Sequence, residues 1–239
     1  MISLCVPVHR PHPAPNVATL AEGLAAAAGH HDAELVVALN GISAADAGVA
    51  DGAVAIDLGV NRGVAPGWNA AARSARGDVL VFGNDDAELG PGALALLADA
   101  LREHPEAGVV GPVGTRWDIP RATHLDWVDT SGLPPGALAT CDVVSGFLFA
   151  CRRETWEAVG GFDEFYAPAS WEEVDFDTAV RQRLGLGCFV VAGVPVRHEW
   201  GISAKQRPWR RIRHNGRSEL LWSIHRRNRR HFLAKWSNG

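Results

Sequence analysis

The sequence predicts an α/β fold with a largely parallel sheet covered by helices on both faces. Three observations carry that expectation. Short apolar runs recur at residues 2–8, 34–39, 54–58 and 78–82. The stretches between them are rich in alanine, the strongest helix former. The 239 residues are 47% hydrophobic and 21% charged, which suits one compact body with a full core and gives no case for disorder or a coiled coil. Strand–helix alternation of this kind places ligand sites at the carboxyl ends of the strands.

The elements follow in order. The run 2–8 reads as the first buried strand, and the next three runs continue a βαβα pattern. Pro91, followed by Leu94, Leu96, Leu97 and Leu101, reads as a helix with proline in its first turn, leading to a strand at 109–113. The pattern then lapses over 114–135, a stretch holding Trp117, His124 and Trp127, and a long irregular insertion of this kind is a functional expectation. Strand character returns at 142–151, a helix fits 173–184, and 188–196 reads as a late buried strand. Residues 218–236 suit a helix whose Leu221, Ile224, His225, Phe232 and Trp236 supply a docking face.

Net charge is −4, but it is unevenly spread. Residues 205–239 hold 11 Lys and Arg against one acid, while residues 1–204 hold 12 against 26. The acidic body argues against nucleic-acid binding, and the basic tail suits a phosphate, an anionic lipid head group or the acidic body of a second copy in a homodimer. Cys5, Cys141, Cys151 and Cys188 lack paired spacing and read as buried free thiols. No apolar run is long enough to span a bilayer and no leader pattern opens the chain, so the expected compartment is the cytoplasm.

Asn84-Asp85-Asp86 directly follow the apolar run ending in Phe82-Gly83. Carboxylates at a strand end can hold a hard divalent ion, Mg2+ or Mn2+, against a diphosphate, although acidic turns and helix caps use the same residues. Further signals come in Gly160-Gly161-Phe162-Asp163-Glu164, in Trp171-Glu172-Glu173-Val174-Asp175 and in Val196-Arg197-His198-Glu199-Trp200-Gly201. With these in order, the chain resembles glycosyltransferase family 2 from residue 2 to about 236.

That resemblance implies the GT-A fold: a Rossmann-like, mostly parallel nucleotide-binding sheet, an acceptor-side half and a helical C-terminal extension. The expected divisions are 1–204, split into a nucleotide-sugar half (1–113) and an acceptor half (114–204), and an extension at 205–239. It implies an inverting enzyme moving a sugar from a UDP-, dTDP- or GDP-sugar to an acceptor hydroxyl. Asp86 and His198 are the implied metal ligands, with Asp85 near the ribose or the same ion and Asn84 beside them. Pro7, Asn40, Asn61, Gly63, Gly67 and Asn69 match the family's donor-binding passages. Glu173 matches the catalytic carboxylate, whose task is to accept the acceptor's proton. The family's aspartate is a longer glutamate here, so Glu172 is the alternative base. Asn40 and Asn84 likewise replace residues that are usually acidic, which leaves the donor open.

Asp163, Trp171 and Trp117 are candidate acceptor contacts, with Trp127 and Trp200 as further indole walls, since indole faces suit sugar faces. Two other readings stay open: a sugar nucleotidyltransferase of similar fold, for which His9-Arg10-Pro11-His12-Pro13 makes a poor phosphate loop, and a catalytically silent nucleotide-sugar-binding module.

Overall fold

The computed structural model describes residues 1–10, 16–198 and 209–236. The first half runs β1 (Ile2–Val8), α1 (Val17–Ala28), β2 (Ala33–Leu39), α2 (Ala44–Ala47), β3 (Val54–Asp57), α3 (Val64–Ser74), β4 (Val79–Gly83), β5 (Ala87–Leu89), α4 (Ala93–Glu103) and β6 (Ala107–Gly111). The second runs β7 (Gly114–Asp118), β8 (Thr123–Trp127), β9 (Leu138–Cys141), β10 (Val143–Val144), β11 (Leu148–Arg152), α5 (Arg153–Val159), α6 (Glu172–Leu184), β12 (Gly187–Val191) and β13 (Val196–His198). The tail forms β14 (Arg211–His214), β15 (Arg217–Leu220) and α7 (Leu221–Trp236).

The central sheet has eight strands in the order β3-β2-β1-β4-β11-β6-β12-β9. The four strands of the first half pair in parallel, β11 enters antiparallel between β4 and β6, and β12 lies parallel to β6. β1 and β2 are buried almost throughout because helices cover both faces of the sheet, which is why they read as continuous apolar runs. Leu4, Val6 and Leu35 turn toward α1 and α4, whereas Cys5, Val36 and Phe82 turn toward Trp68 of α3 and Phe176 of α6. Alternate residues therefore feed two cores. The four cysteines are free and buried, as their spacing suggested.

The expected strands and helices of the first half are present, with Pro91 lying just ahead of α4 instead of inside its first turn. The second half departs further. The stretch 114–135 is not an irregular loop: β7 and β8 form a hairpin that joins β10 in a three-stranded sheet. β8 is an edge strand exposed along its whole length, so it carries no inward apolar alternation to betray it. The strand expected at 142–151 is broken between β10 and β11, and the one at 188–196 stops at Val191 and resumes as β13.

The tail opens with a hairpin that hydropathy does not reveal. Arg211 pairs with Leu220 and His214 with Arg217, leaving Asn215-Gly216 as a two-residue turn with φ of +45° and +69°. Asn-Gly is the preferred pair for that turn. α7 then buries Phe232 and Trp236 with Tyr166, Val174 and Ala179, so the tail packs on the α6 side of the body. The division expected at residue 204 lies outside the described residues, as do Glu199, Trp200, His12 and Pro13.

Candidate functional site

β4 ends at the carboxyl edge of the sheet and the chain turns at once, with Asn84 N donating to Phe147 O at 3.0 Å. β5 then pairs antiparallel with β13, placing Ala87 opposite His198. This pairing brings His198 Nε2 to 3.3 Å from Asp86 Oδ1, with side chains only 13% and 17% exposed. Phe147 stacks on the imidazole at 4.6 Å between ring centres, fixing its plane. One carboxylate oxygen and one imidazole nitrogen fit a divalent first-row ion such as Mn2+; Mg2+ favours all-oxygen surroundings.

Asn84, Asp85 and Asp86 open into a cavity of about 640 Å³, which Pro7, Asn61, Gly63 and Ser170 also line. His9 and Arg10 reach it from the end of β1, and Arg210, Arg211, Arg213 and His225 reach it from the tail. One cavity is thus lined both by the acids after β4 and by a basic segment of the tail, called the roof below. Burial holds the His225 pKa below its ordinary value, favouring the neutral ring. The basic tail as a whole suits a phosphate and His9-Arg10 makes a poor phosphate loop, but Arg210, Arg211, Arg213 and His225 carry no individual signal in the sequence for this place. The signal for the roof was the Asn215-Gly216 turn, which folds the arginine-rich strand back on itself.

Asn61 latches that roof to the body. Its amide donates to Arg213 O at 3.0 Å, its own carbonyl accepts from Asn215 N at 2.8 Å, and its side-chain oxygen accepts from Gly63 N at 3.0 Å. Gly63, at φ +105°, lies so close to Pro168 that an added Cβ would stand 2.8 Å from its Cα. No larger residue fits there.

Three other expected donor residues do not line the cavity. Asn40 is buried, donating to Gly63 O at 2.9 Å and accepting from Arg62 N at 2.6 Å, so both ends of its amide shape the 61–63 loop. Gly67 packs α3 against Pro7. Asn69 donates to Phe162 O and Glu164 Oε1 and accepts from Phe162 N, stapling α3 to the Gly-Gly-Phe-Asp loop.

Glu172 and Glu173 open α6 immediately after Ser170 and Trp171, two consecutive non-glycine residues at φ +80° and +81°. Such conformations persist only where the surroundings over-determine them. Here the buried Asn228 of α7 donates to the carbonyls of Tyr166, Ala169 and Ser170, at 2.8, 3.1 and 2.9 Å. Glu173 is half-buried and packs on Gly146, in the turn that carries Phe147 and so adjoins the Asp86–His198 pair. Burial pushes both glutamates above the ordinary carboxylate range, Glu172 well above it with the charge of Glu173 adding to the rise. Glu172 Oε2 is buried with no hydrogen-bond partner among the described residues. Neither glutamate lines the cavity itself.

The expected acceptor residues are placed differently. Asp163 accepts from His231 Nε2 at 3.0 Å and from Lys235 Nζ at 3.1 Å, tying α7 to the body. Burial raises its pKa, but hydrogen bonds from His231, Phe165 N and Lys235 outweigh it and leave the group below its ordinary value. Trp171 stands 5.6 Å from Trp117 and 5.2 Å from Phe232, part of an aromatic joint between the hairpin, α6 and α7. Trp117 borders a separate hollow of about 500 Å³ that shares no lining residue with the main cavity. Trp127 is exposed on β8.

Solved structures of similar shape include GalNAc-T7 with UDP, GalNAc and Mn2+, at a TM-score of 0.63 and 14% identity, covering 80% of this chain and 42% of that one. A second is the mannosyltransferase PcManGT from Pyrobaculum calidifontis in complex with GDP-Man and Mn2+, at 0.56 and 21%, covering 81% and 55%. The chain thus spans about half the length of these proteins, and at such identities the likeness speaks for the fold, GT-A as expected. A comparison with curated proteins gives no match. The family model described as glycosyl transferase family 2 matches residues 3–153, which takes in β1, the 61–69 passage and the acids after β4 but stops short of α6 and His198. That match covers well over half of the chain, and the chain therefore belongs to glycosyl transferase family 2.

Proposed function

We propose that the protein is an inverting glycosyltransferase that moves a sugar from a nucleoside diphosphate donor, UDP-, dTDP- or GDP-linked, to an acceptor hydroxyl. The observation that carries this reading is the Asp86–His198 pair, assembled at 3.3 Å at a cavity that Asp86 lines together with Arg10, Arg210, Arg211 and Arg213. Asp86 and His198 would hold Mn2+ in preference to Mg2+, and the ion supplies charge neutralisation at the donor's diphosphate. Arg10, Arg210 and Arg213 add donors toward the same phosphates, with guanidinium groups suited to their oxygens, while Arg211 spends two of its donors on Ser218.

Glu173 is the base in this reading. Of the two glutamates it is the more exposed, and it packs on Gly146 beside Phe147, so it is the one that solvent and an acceptor reach. Its carboxylate takes the acceptor's proton as the acceptor oxygen bonds to the anomeric carbon and the bond to the diphosphate oxygen breaks. A single displacement of this kind inverts the centre. Glu173→Gln tests it: transfer should fall by about 10²-fold or more while donor binding persists. Unchanged transfer would remove Glu173 from the chemistry, and donor binding without transfer by the wild type to any acceptor would favour a silent module.

The surface beside the cavity favours a lipid-borne acceptor. Leu221 N donates to Arg210 O at 2.9 Å, and the residues next to this pair in the chain, Trp209 and Trp222, are both exposed, at 65% and 48%. Arg226 and Arg230 are exposed farther along α7. Indoles with guanidinium groups suit the head-group layer of an anionic bilayer.

A further inference from the structure

A second group of ligating side chains lies at the opposite edge of the sheet. The main cavity sits at the carboxyl ends of β1 and β4, whereas His30 and His31 occupy the turn between α1 and β2, beside the amino end of β2. Gly29 takes φ +61° in that turn and approaches α4 so closely that an added Cβ would stand 3.3 Å from Ala95 Cβ. The turn is thereby pressed onto α4, and both imidazoles meet Asp99. His30 Nε2 is 3.4 Å and His31 Nε2 is 3.1 Å from the same oxygen, Asp99 Oδ1. The two rings lie side by side, 4.1 Å between centres and tilted by 36°.

We propose that His30, His31 and Asp99 bind a borderline divalent transition ion of the Zn2+, Co2+ or Ni2+ class, clamping the turn after α1 to α4. Two imidazole nitrogens and one carboxylate oxygen are the donor set such ions prefer. Ligands about 2.0–2.2 Å from a tetrahedral ion stand roughly 3.3–3.6 Å from one another. The two imidazole–carboxylate distances are already near that spacing, and all three ligand atoms fall within 4.8 Å of one another, so the site closes with small side-chain adjustments. Asp99 and His31 are 25% and 20% exposed and His30 is 62% exposed, which leaves an open side for water as the fourth ligand.

Arg102 is the competitor, with NH2 3.1 Å from Asp99 Oδ1. Its side chain is 61% exposed, and the same nitrogen is 3.0 Å from Glu103 Oε1. An incoming cation can therefore displace the guanidinium from Asp99 without stripping it of a carboxylate partner. The ion would bind only where the turn and α4 are held together, so it stabilises the folded chain without touching the donor cavity.

The test is thermal unfolding of the metal-stripped full chain with and without Zn2+, together with the visible absorption of added Co2+, for Asp86→Ala, which removes the ligand at the other cation site, and for Asp86→Ala combined in turn with His30→Ala, His31→Ala and Asp99→Asn. The proposal expects Zn2+ to raise the melting temperature of Asp86→Ala, and Co2+ to give its intense low-coordinate absorption there. Both signals should be lost when His31→Ala or Asp99→Asn is added and weakened when His30→Ala, the most exposed ligand, is added. Absence of both signals in Asp86→Ala would overturn it, as would their persistence when His31→Ala or Asp99→Asn is added.

Discussion

At the scale of single residues, the two glutamates opening α6 make opposite demands on pH. Burial raises both carboxyls above their unfolded value, so the folded state keeps protons that the unfolded state releases. Their effect on stability is therefore absent well below the unfolded pKa, and it becomes destabilising as pH rises through the unfolded value toward the folded ones. Glu172→Gln should raise the melting temperature at neutral pH, by about 2–4 °C for each kcal/mol relieved, and should flatten its decline above pH ~4.5. Melting curves from pH 4 to 8 check this; an unchanged slope would mean that Glu172 takes up no proton on folding. Catalysis runs the other way, because the base must be ionised. The acid limb of kcat should lie above the ordinary carboxylate range, and a limb near pH 4 would contradict the assignment of Glu173. Gly146→Ala places a methyl 3.2 Å from Glu173 Cδ and should lower kcat with little effect on donor affinity.

At the scale of elements, α7 works as a strap. Asn228 holds three carbonyls of the 166–170 loop, while Lys235 and Trp236 Nε1 each reach Asp175 at 2.7 Å. Asn228→Ala leaves those buried carbonyls short of a donor, at about 1–3 kcal/mol, and releases the strained Ser170-Trp171 pair ahead of Glu173. The expected result is a melting temperature lower by several degrees and a kcat reduced by more than the lost stability accounts for. A variant that melts early but turns over normally at low temperature would reduce α7 to a structural role. The strands bearing the site were legible because parallel strands covered on both faces read as unbroken apolar runs, and the acids after β4 stand where such a run stops. The roof was not legible, because β14 alternates arginine with other residues and its one local signal, Asn215-Gly216, lies in a stretch dominated by charge. Asn40 and Asn69 show another limit: an amide that staples the chain and one that meets a ligand look alike in sequence, and only the hydrogen bonds tell them apart.

At the scale of the whole molecule, charge is separated between an acidic body and a basic tail, and the cavity lies where they meet. Among the described residues no helix is long and apolar enough to cross a membrane, so bilayer contact in this account is peripheral, through Trp209, Trp222 and the arginines of α7. Sedimentation with vesicles should show binding to anionic but not zwitterionic lipid, lost at high salt as surface charges are screened and weakened in a Trp209→Ala/Trp222→Ala double variant. Binding to neither vesicle, with dimers appearing at low salt, would assign the basic face to a second copy. All of this depends on the cavity being a nucleotide-sugar site organised by Asp86 and His198. The most direct measurement is calorimetric titration of UDP-, dTDP- and GDP-sugars into wild type and Asp86→Ala, each with and without Mn2+. The account expects one donor class to bind wild type at least about tenfold more tightly with Mn2+ than without, and Asp86→Ala, still folded, to lose that difference. Binding of no nucleoside diphosphate-sugar in the presence of metal, or a Mn2+ effect that survives in Asp86→Ala, would contradict it.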